Sequence, residues 1–235
     1  MNWYTKRMLQ RFGVGPVRTF VVSLCGLSVI SVAFFGVSAW HNNSFANRYL
    51  LWNLFLAWLP VVAAYLLLHV LRTRPWSSWL GILLTIVWLV FLPNSFYMVS
   101  DFIHLQDVLP ENILYDALMF TLFILNGLIL GYVSLYLVHI QLRKRFSALA
   151  SDGFIGFILL LCSFAIYLGR DLRWNTWDVL VNPAGILFDV SERALNPLAH
   201  GDTFAITAMF FVFLTSLYWV VWSLVRSLSK IRITE

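Results

Sequence analysis

The sequence predicts an all-α fold, a bundle of six membrane-spanning helices with both termini on one side, and three observations predict it. The 235 residues are 60% hydrophobic and 11% charged, with a mean hydropathy of +0.80, whereas ordinary soluble domains carry about 25% charged residues. Six stretches almost free of charge are each long enough for a bilayer crossing, which takes about 20 mostly apolar residues. The charged residues sort by sign into alternate connections.

The first span, 19–40, follows the basic stretch Lys6, Arg7, Arg11 and Arg18. Its apolar run is longer than the core of a cleaved signal, about 7–15 residues, so the small residues Val37-Ser38-Ala39 are expected to remain inside a retained helix. The second and third spans, 50–71 and 76–99, are separated by Arg72 and Arg74, and the fourth, 113–140, ends before Arg143, Lys144 and Arg145. The fifth has a shorter apolar run, 154–168, and is expected to continue as helix to residue 174. The sixth is 204–225. All should be helical, because backbone polar groups in lipid must be satisfied within their own segment, and the alternating ten-residue pattern of a barrel is not visible.

The outer loop 175–203 holds Asn182-Pro183, a cap and first turn for a short amphipathic helix with Ile186, Leu187, Val190 and Ala194 on its apolar face. Asp189 and Arg193 would pair at i,i+4 on the other face; a plain solvent loop is the alternative. No repeat or linker divides the chain, which reads as a single membrane domain, 1–235.

Of the sixteen Lys and Arg residues, twelve flank the spans on one side, and nine of the eleven Asp and Glu fall on the other. By the positive-inside bias this places both termini in the cytoplasm of a plasma (inner) membrane. The net charge of +5 and pI near 9.4 are therefore a topology signal rather than a nucleic-acid-binding one. Cys25 and Cys162 lie inside spans and supply no disulfide framework or metal site. Asp101 and His104 have a usable i,i+3 spacing, but no HExxH or second His-bearing helix joins them, so no metal is expected. No cofactor is indicated. Trp52, Trp174 and Trp177 fall near span ends, where interface anchoring is their default role.

Chemistry concentrates at the outer ends of spans two to five. Asn94, Tyr97, Asp101 and His104 recur at spacings of three, four and three, one polar stripe if the helix continues. Past span five, Asp171, Asn175 and Asp178 would share one helical face, with Arg170, Arg173 and Trp177 beside it. Arg48 and Asn53 open span two, and Tyr115 and Asp116 open span four. Ionisable groups at membrane depth are costly and turn inward or toward a wet cavity.

These motifs carry a resemblance. Asn53-Leu-Phe-Leu-Ala-Trp58-Leu-Pro60, Phe91-Leu-Pro-Asn94 with Tyr97 and Asp101-Phe-Ile-His104, Tyr115-Asp116, and Tyr167-Leu-Gly-Arg170 with Arg173-Trp-Asn-x-Trp-Asp178 resemble the bacterial membrane family catalogued as domain of unknown function 1361. The resemblance spans about residues 48–183 and implies a polytopic fold without naming a reaction.

Three readings of the cluster follow. In the first it is a ligand or catalytic site, with Asp101 orienting His104 as an acid/base pair and Arg170 and Arg173 holding a phosphate or carboxylate. A lipid headgroup, an envelope intermediate or a small polar ligand would suit its depth. In the second, Asp101, His104 and Asp116 form the relay of a proton-coupled carrier. In the third, Asp and Arg residues pair across helices as scaffold, aided by a GxxxG at Gly127 and Gly131.

Overall fold

In the computed structural model, which describes residues 16–107 and 112–231, the chain is helical throughout its long elements. Of the charged residues counted above, Lys6, Arg7, Arg11, Glu111, Arg232 and Glu235 lie outside the described residues. Among the described residues seven α-helices are longer than a single turn: α1 (Pro16–His41), α2 (Tyr49–Val70), α3 (Trp79–Tyr97), α4 (Ile113–Arg143), α5 (Ala148–Asp171), α6 (Pro183–Leu195) and α7 (Gly201–Ile231). All but α6 are long and apolar enough to cross a membrane.

The ends of these helices follow local chemistry. Span three begins at Trp79, three residues later than expected, because Ser78 accepts a hydrogen bond from the Gly81 amide at 3.2 Å and caps the helix there. Ser147 caps α5 in the same way through the Ala150 amide, so that span starts at residue 148, six residues before its apolar run. Pro60 and Pro93 sit within α2 and α3. Near Pro60 the Ser95 hydroxyl donates to the Ala57 carbonyl at 3.1 Å, fastening α3 to α2.

The central helix is α4, the most deeply buried of the six spans. It packs against α1, α2, α3 and α5, while α7 packs against α5. Two glycines allow its close approach to α3: a Cβ on Gly127 would lie 2.6 Å from the Ser95 carbonyl oxygen, and one on Gly131 2.6 Å from the Phe96 ring. Midway along α4 the Asn126 amide donates to Ser28 at 3.0 Å, and Trp58 donates to the same hydroxyl at 3.1 Å, tying α1, α2 and α4 together.

At the end of the bundle where α4 finishes, a polar network joins α4, α5 and α7. Fully buried His139 has Nδ1 2.8 Å from the Tyr218 hydroxyl and Nε2 3.1 Å from Asp152 Oδ1. Its ring stacks on Trp222 with centroids 3.9 Å apart, and Arg143 contacts both His139 and Asp152.

At the other end, α3 does not continue as α-helix beyond Tyr97. It tightens into a 3-10 segment over Met98–Asp107, in which residues three apart eclipse each other, so Asp101 and His104 still project along one line. Helix α5 stops at Asp171, short of the expected 174. Arg173 takes the left-handed conformation (φ 59°), where glycine is usual at a helix end, and the Trp174 amide bonds back to the Leu168 carbonyl at 3.1 Å. The chain therefore reverses at 173, and residues 171–178 share no helical face.

Helix α6 forms where Asn182-Pro183 predicted it, with the Asn182 side chain accepting from the Gly185 amide at 3.1 Å. Asp189 and Arg193 pair at i,i+4 as their spacing predicts, 3.4 Å apart. Ile186, Asp189, Val190 and Arg193 are turned toward the bundle, and Leu187 and Phe188 are 68% exposed. The reason is polar anchorage: Arg193 is buried, donating to the Tyr167 hydroxyl at 3.3 Å and to the Asp189 carbonyl at 2.9 Å. The Tyr167 hydrogen bond favours the charged guanidinium and raises the Arg193 pKa.

Candidate functional site

The 3-10 segment, the ends of α2, α3 and α5, the reversed loop 174–179 and Ile186 of α6 line an open cavity of about 470 Å³. Helix α3 packs on both α2 and α5 and forms the back of the cavity. Leu56, Val90, Ala165 and Ile166 give it an apolar depth, and polar and aromatic groups ring the remainder.

Asp101 is the central charge. It is 3% exposed, and its Oδ2 accepts from the Asn53 amide nitrogen at 3.3 Å. None of the ion pairs among the described residues includes it. His104 is exposed and lies against the Tyr49 ring, with centroids 5.1 Å apart; the carboxylate bonds Asn53 rather than this imidazole. Asn94 donates to the Phe91 carbonyl at 3.1 Å and accepts from the Thr176 hydroxyl at 3.1 Å. That second bond holds the reversed loop against α3. The loop is also braced by the Asn175 amide, which donates to Asp178 at 2.6 Å, and by Trp174, whose indole donates to Asp189 of α6 at 2.7 Å.

Of the residues singled out from sequence, the structure brings Asn53, Asn94, Tyr97, Asp101, His104 and Asn175 to this cavity. The others are placed elsewhere. Tyr115 donates to the Phe34 carbonyl at 2.8 Å, and buried Asp116 accepts from Ser38 at 3.0 Å; both clasp α4 to α1. Arg170 lines a separate apolar crevice of about 310 Å³ with Phe102, Ile103 and Phe213. Arg173 is exposed at the helix stop, Arg48 is exposed on a single 3-10 turn (Ala46–Arg48), and Asp178 braces the loop from outside the cavity.

Sequence reasoning missed the aromatic walls. Tyr49, Trp52, Trp174 and Trp177 line the cavity, and the Trp52 and Trp177 rings meet with centroids 5.8 Å apart. Tyr49 stands one turn before Asn53 on α2, a spacing that would have marked it. Trp174 and Trp177 reach the cavity through the reversal at Arg173, for which the sequence offers no glycine signal. Among the described residues no group of three His, Cys, Asp or Glu converges on a point.

Anchorage of α6 beside the cavity is testable. Replacing Arg193 with alanine removes the contacts to Tyr167 and Asp189, and a loss of about 1–2 kcal/mol corresponds to a factor of about 5–30 in local opening. Hydrogen exchange of amides 183–195 should quicken by that factor. Unchanged exchange would show that apolar packing alone holds the helix.

Residues 52–220 match the sequence model of a family described as Protein of unknown function (DUF1361). No curated protein and no solved structure matches the chain.

Proposed function

The chain belongs to this family of multi-pass membrane proteins of unknown function, and from that premise we propose that it is a ligand-binding protein whose cavity takes the polar headgroup of a membrane lipid, an envelope intermediate or a small polar ligand. One observation carries the reading. A carboxylate 3% exposed, Asp101, borders an open cavity of about 470 Å³ together with Asn53, Asn94, Tyr97, His104 and Asn175. Burying a charge at the edge of a membrane span is costly, and packing alone would not leave space beside it. The volume falls in the range of small-molecule sites, about 300–1,000 Å³.

The other sequence readings fare less well on the same geometry. Asp101 and Asp116 bond an amide and a hydroxyl, whereas a scaffold of charge pairs would set them on arginines. Asn126, midway along α4, is engaged by Ser28 and serves helix packing, which leaves a carrier without a site at that depth. The bias of Lys and Arg favours both termini in the cytoplasm and a cavity facing outward from a plasma membrane.

The test uses the full chain in an uncharged detergent. Native mass spectrometry should find a bound lipid or small polar molecule on the wild type, and Ala165→Phe, which fills the apolar depth, should lower its occupancy at least tenfold. Equal occupancy in a folded variant would place binding elsewhere.

A further inference from the structure

We propose that the ligand of the cavity is an organic ammonium cation, free or as the amine of a lipid headgroup; this rests on the binding reading above. The argument begins with charge. Asp101 is the one carboxylate among the described residues lining the cavity, and no Lys or Arg lines it. Its hydrogen bond comes from the neutral amide of Asn53, and among the described residues no Lys or Arg forms an ion pair with this buried carboxyl group at the cavity wall. Burying an unbalanced charge is costly, and a bound cation offsets that cost.

The walls select the kind of cation. Trp52 and Trp177 form one aromatic surface, with centroids 5.8 Å apart, and Trp174, Tyr49 and Tyr97 line other sides of the same space. Aromatic faces attract ammonium groups within about 6 Å of their centroids, and cages of this composition are how proteins recognise alkylated ammonium ions. The apolar depth suits carbon substituents on the nitrogen, which a hydrated inorganic ion would not fill.

An anion is the competing occupant, and its receptors lie elsewhere. Arg170 lines the neighbouring crevice and Arg173 is exposed at the helix stop. A phosphate placed in the cavity would instead meet Asp101 and the ring faces, whose quadrupoles present negative potential.

The experiment is calorimetric titration of the full chain in uncharged detergent with choline, ethanolamine, the uncharged choline analogue 3,3-dimethyl-1-butanol, and inorganic phosphate. Choline or ethanolamine should bind at least tenfold more tightly than the uncharged analogue. Asp101→Asn, which keeps a polar group of the same shape beside Asn53, should weaken cation binding about tenfold and leave the uncharged analogue unchanged. Trp177→Leu, at a position 43% exposed and so tolerant of change, should weaken it severalfold and guards against misfolding of the first variant.

Reconstitution into mixed vesicles of phosphatidylcholine, phosphatidylethanolamine and phosphatidylglycerol, followed by native mass spectrometry, identifies the source. Selective retention of an amine lipid assigns the headgroup, and free-amine binding without lipid selection assigns a soluble amine; either supports the proposal. Preference for phosphate or phosphatidylglycerol, lost in Ala165→Phe, would overturn the cation and keep the binding site. No ligand displaced by Ala165→Phe would overturn both.

Discussion

Gly127→Leu is expected to lower the unfolding free energy by more than about 3 kcal/mol, or to prevent accumulation of folded protein. Even a single Cβ there would stand 2.6 Å from the Ser95 carbonyl oxygen and 2.7 Å from Met98 Sδ. The sulfur lies on a flexible side chain and can move, but the carbonyl is backbone of α3. Relief therefore requires separating α3 from α4 just below the 3-10 segment that carries Asp101. The smaller change Gly127→Ala should cost about 1–3 kcal/mol from overpacking, against a gain of about 1 kcal/mol in helix propensity. Gly156 of α5 provides the contrast, since nothing lies within 4 Å of a Cβ built there. Gly156→Ala should be neutral or stabilise by up to about 1 kcal/mol. Unfolding of the detergent-solubilised variants by denaturant measures all three. A Gly127→Leu protein as stable as wild type would show that the α3–α4 contact does not govern the fold.

His139→Ala should destabilise by about 2–4 kcal/mol. The deletion removes a fully buried ring stacked 3.9 Å from Trp222 and takes away the partner of the Tyr218 hydroxyl, itself on a fully buried residue. A buried polar group left unsatisfied costs about 1–3 kcal/mol, and the vacated volume adds to it. Asp152→Asn should cost less, under about 1 kcal/mol. Its side chain is 30% exposed and its partner Arg143 21% exposed, so solvent screens the pair. The same denaturant titration compares the two. An Asp152→Asn loss equal to that of His139→Ala would make the ion pair, rather than the stacked ring, the dominant link between α4, α5 and α7.

Much of the fold was legible in the sequence because its signals are local. Apolar runs of span length located six helices, and Asn182-Pro183 located the start of α6. Ser78 and Ser147 moved two starts by a few residues, since a cap acts on backbone amides whatever the hydropathy. Which face of α6 meets the bundle was not legible, for a different reason. Apolar patterning assumes that the core side is apolar, but Arg193 and Asp189 find partners in Tyr167 and Trp174 on the bundle side, and those partners lie 15 or more residues away in the chain.

The candidate site was half legible. Asn94, Tyr97, Asp101 and His104 all line the cavity, and Asp101 and His104 stay in line because three residues make one turn of the 3-10 segment. The stretch after Gly169 does not hold, because Arg173 ends the helix in a conformation that the sequence marks with no glycine. That reversal turns Trp174 and Trp177 inward while leaving Arg170 and Arg173 off the cavity.

By itself, then, the sequence determined a helical membrane protein of six spans, since the bilayer demands that each segment satisfy its own backbone and present apolar side chains. Which polar residues meet was decided by the tertiary structure. Rotation of each helix about its axis and the point of chain reversal depend on contacts remote in sequence. Gly127 and Gly131 against Ser95 and Phe96 seat α3, Asp116 on Ser38 turns its charge toward α1, and Thr176 on Asn94 holds the loop against α3.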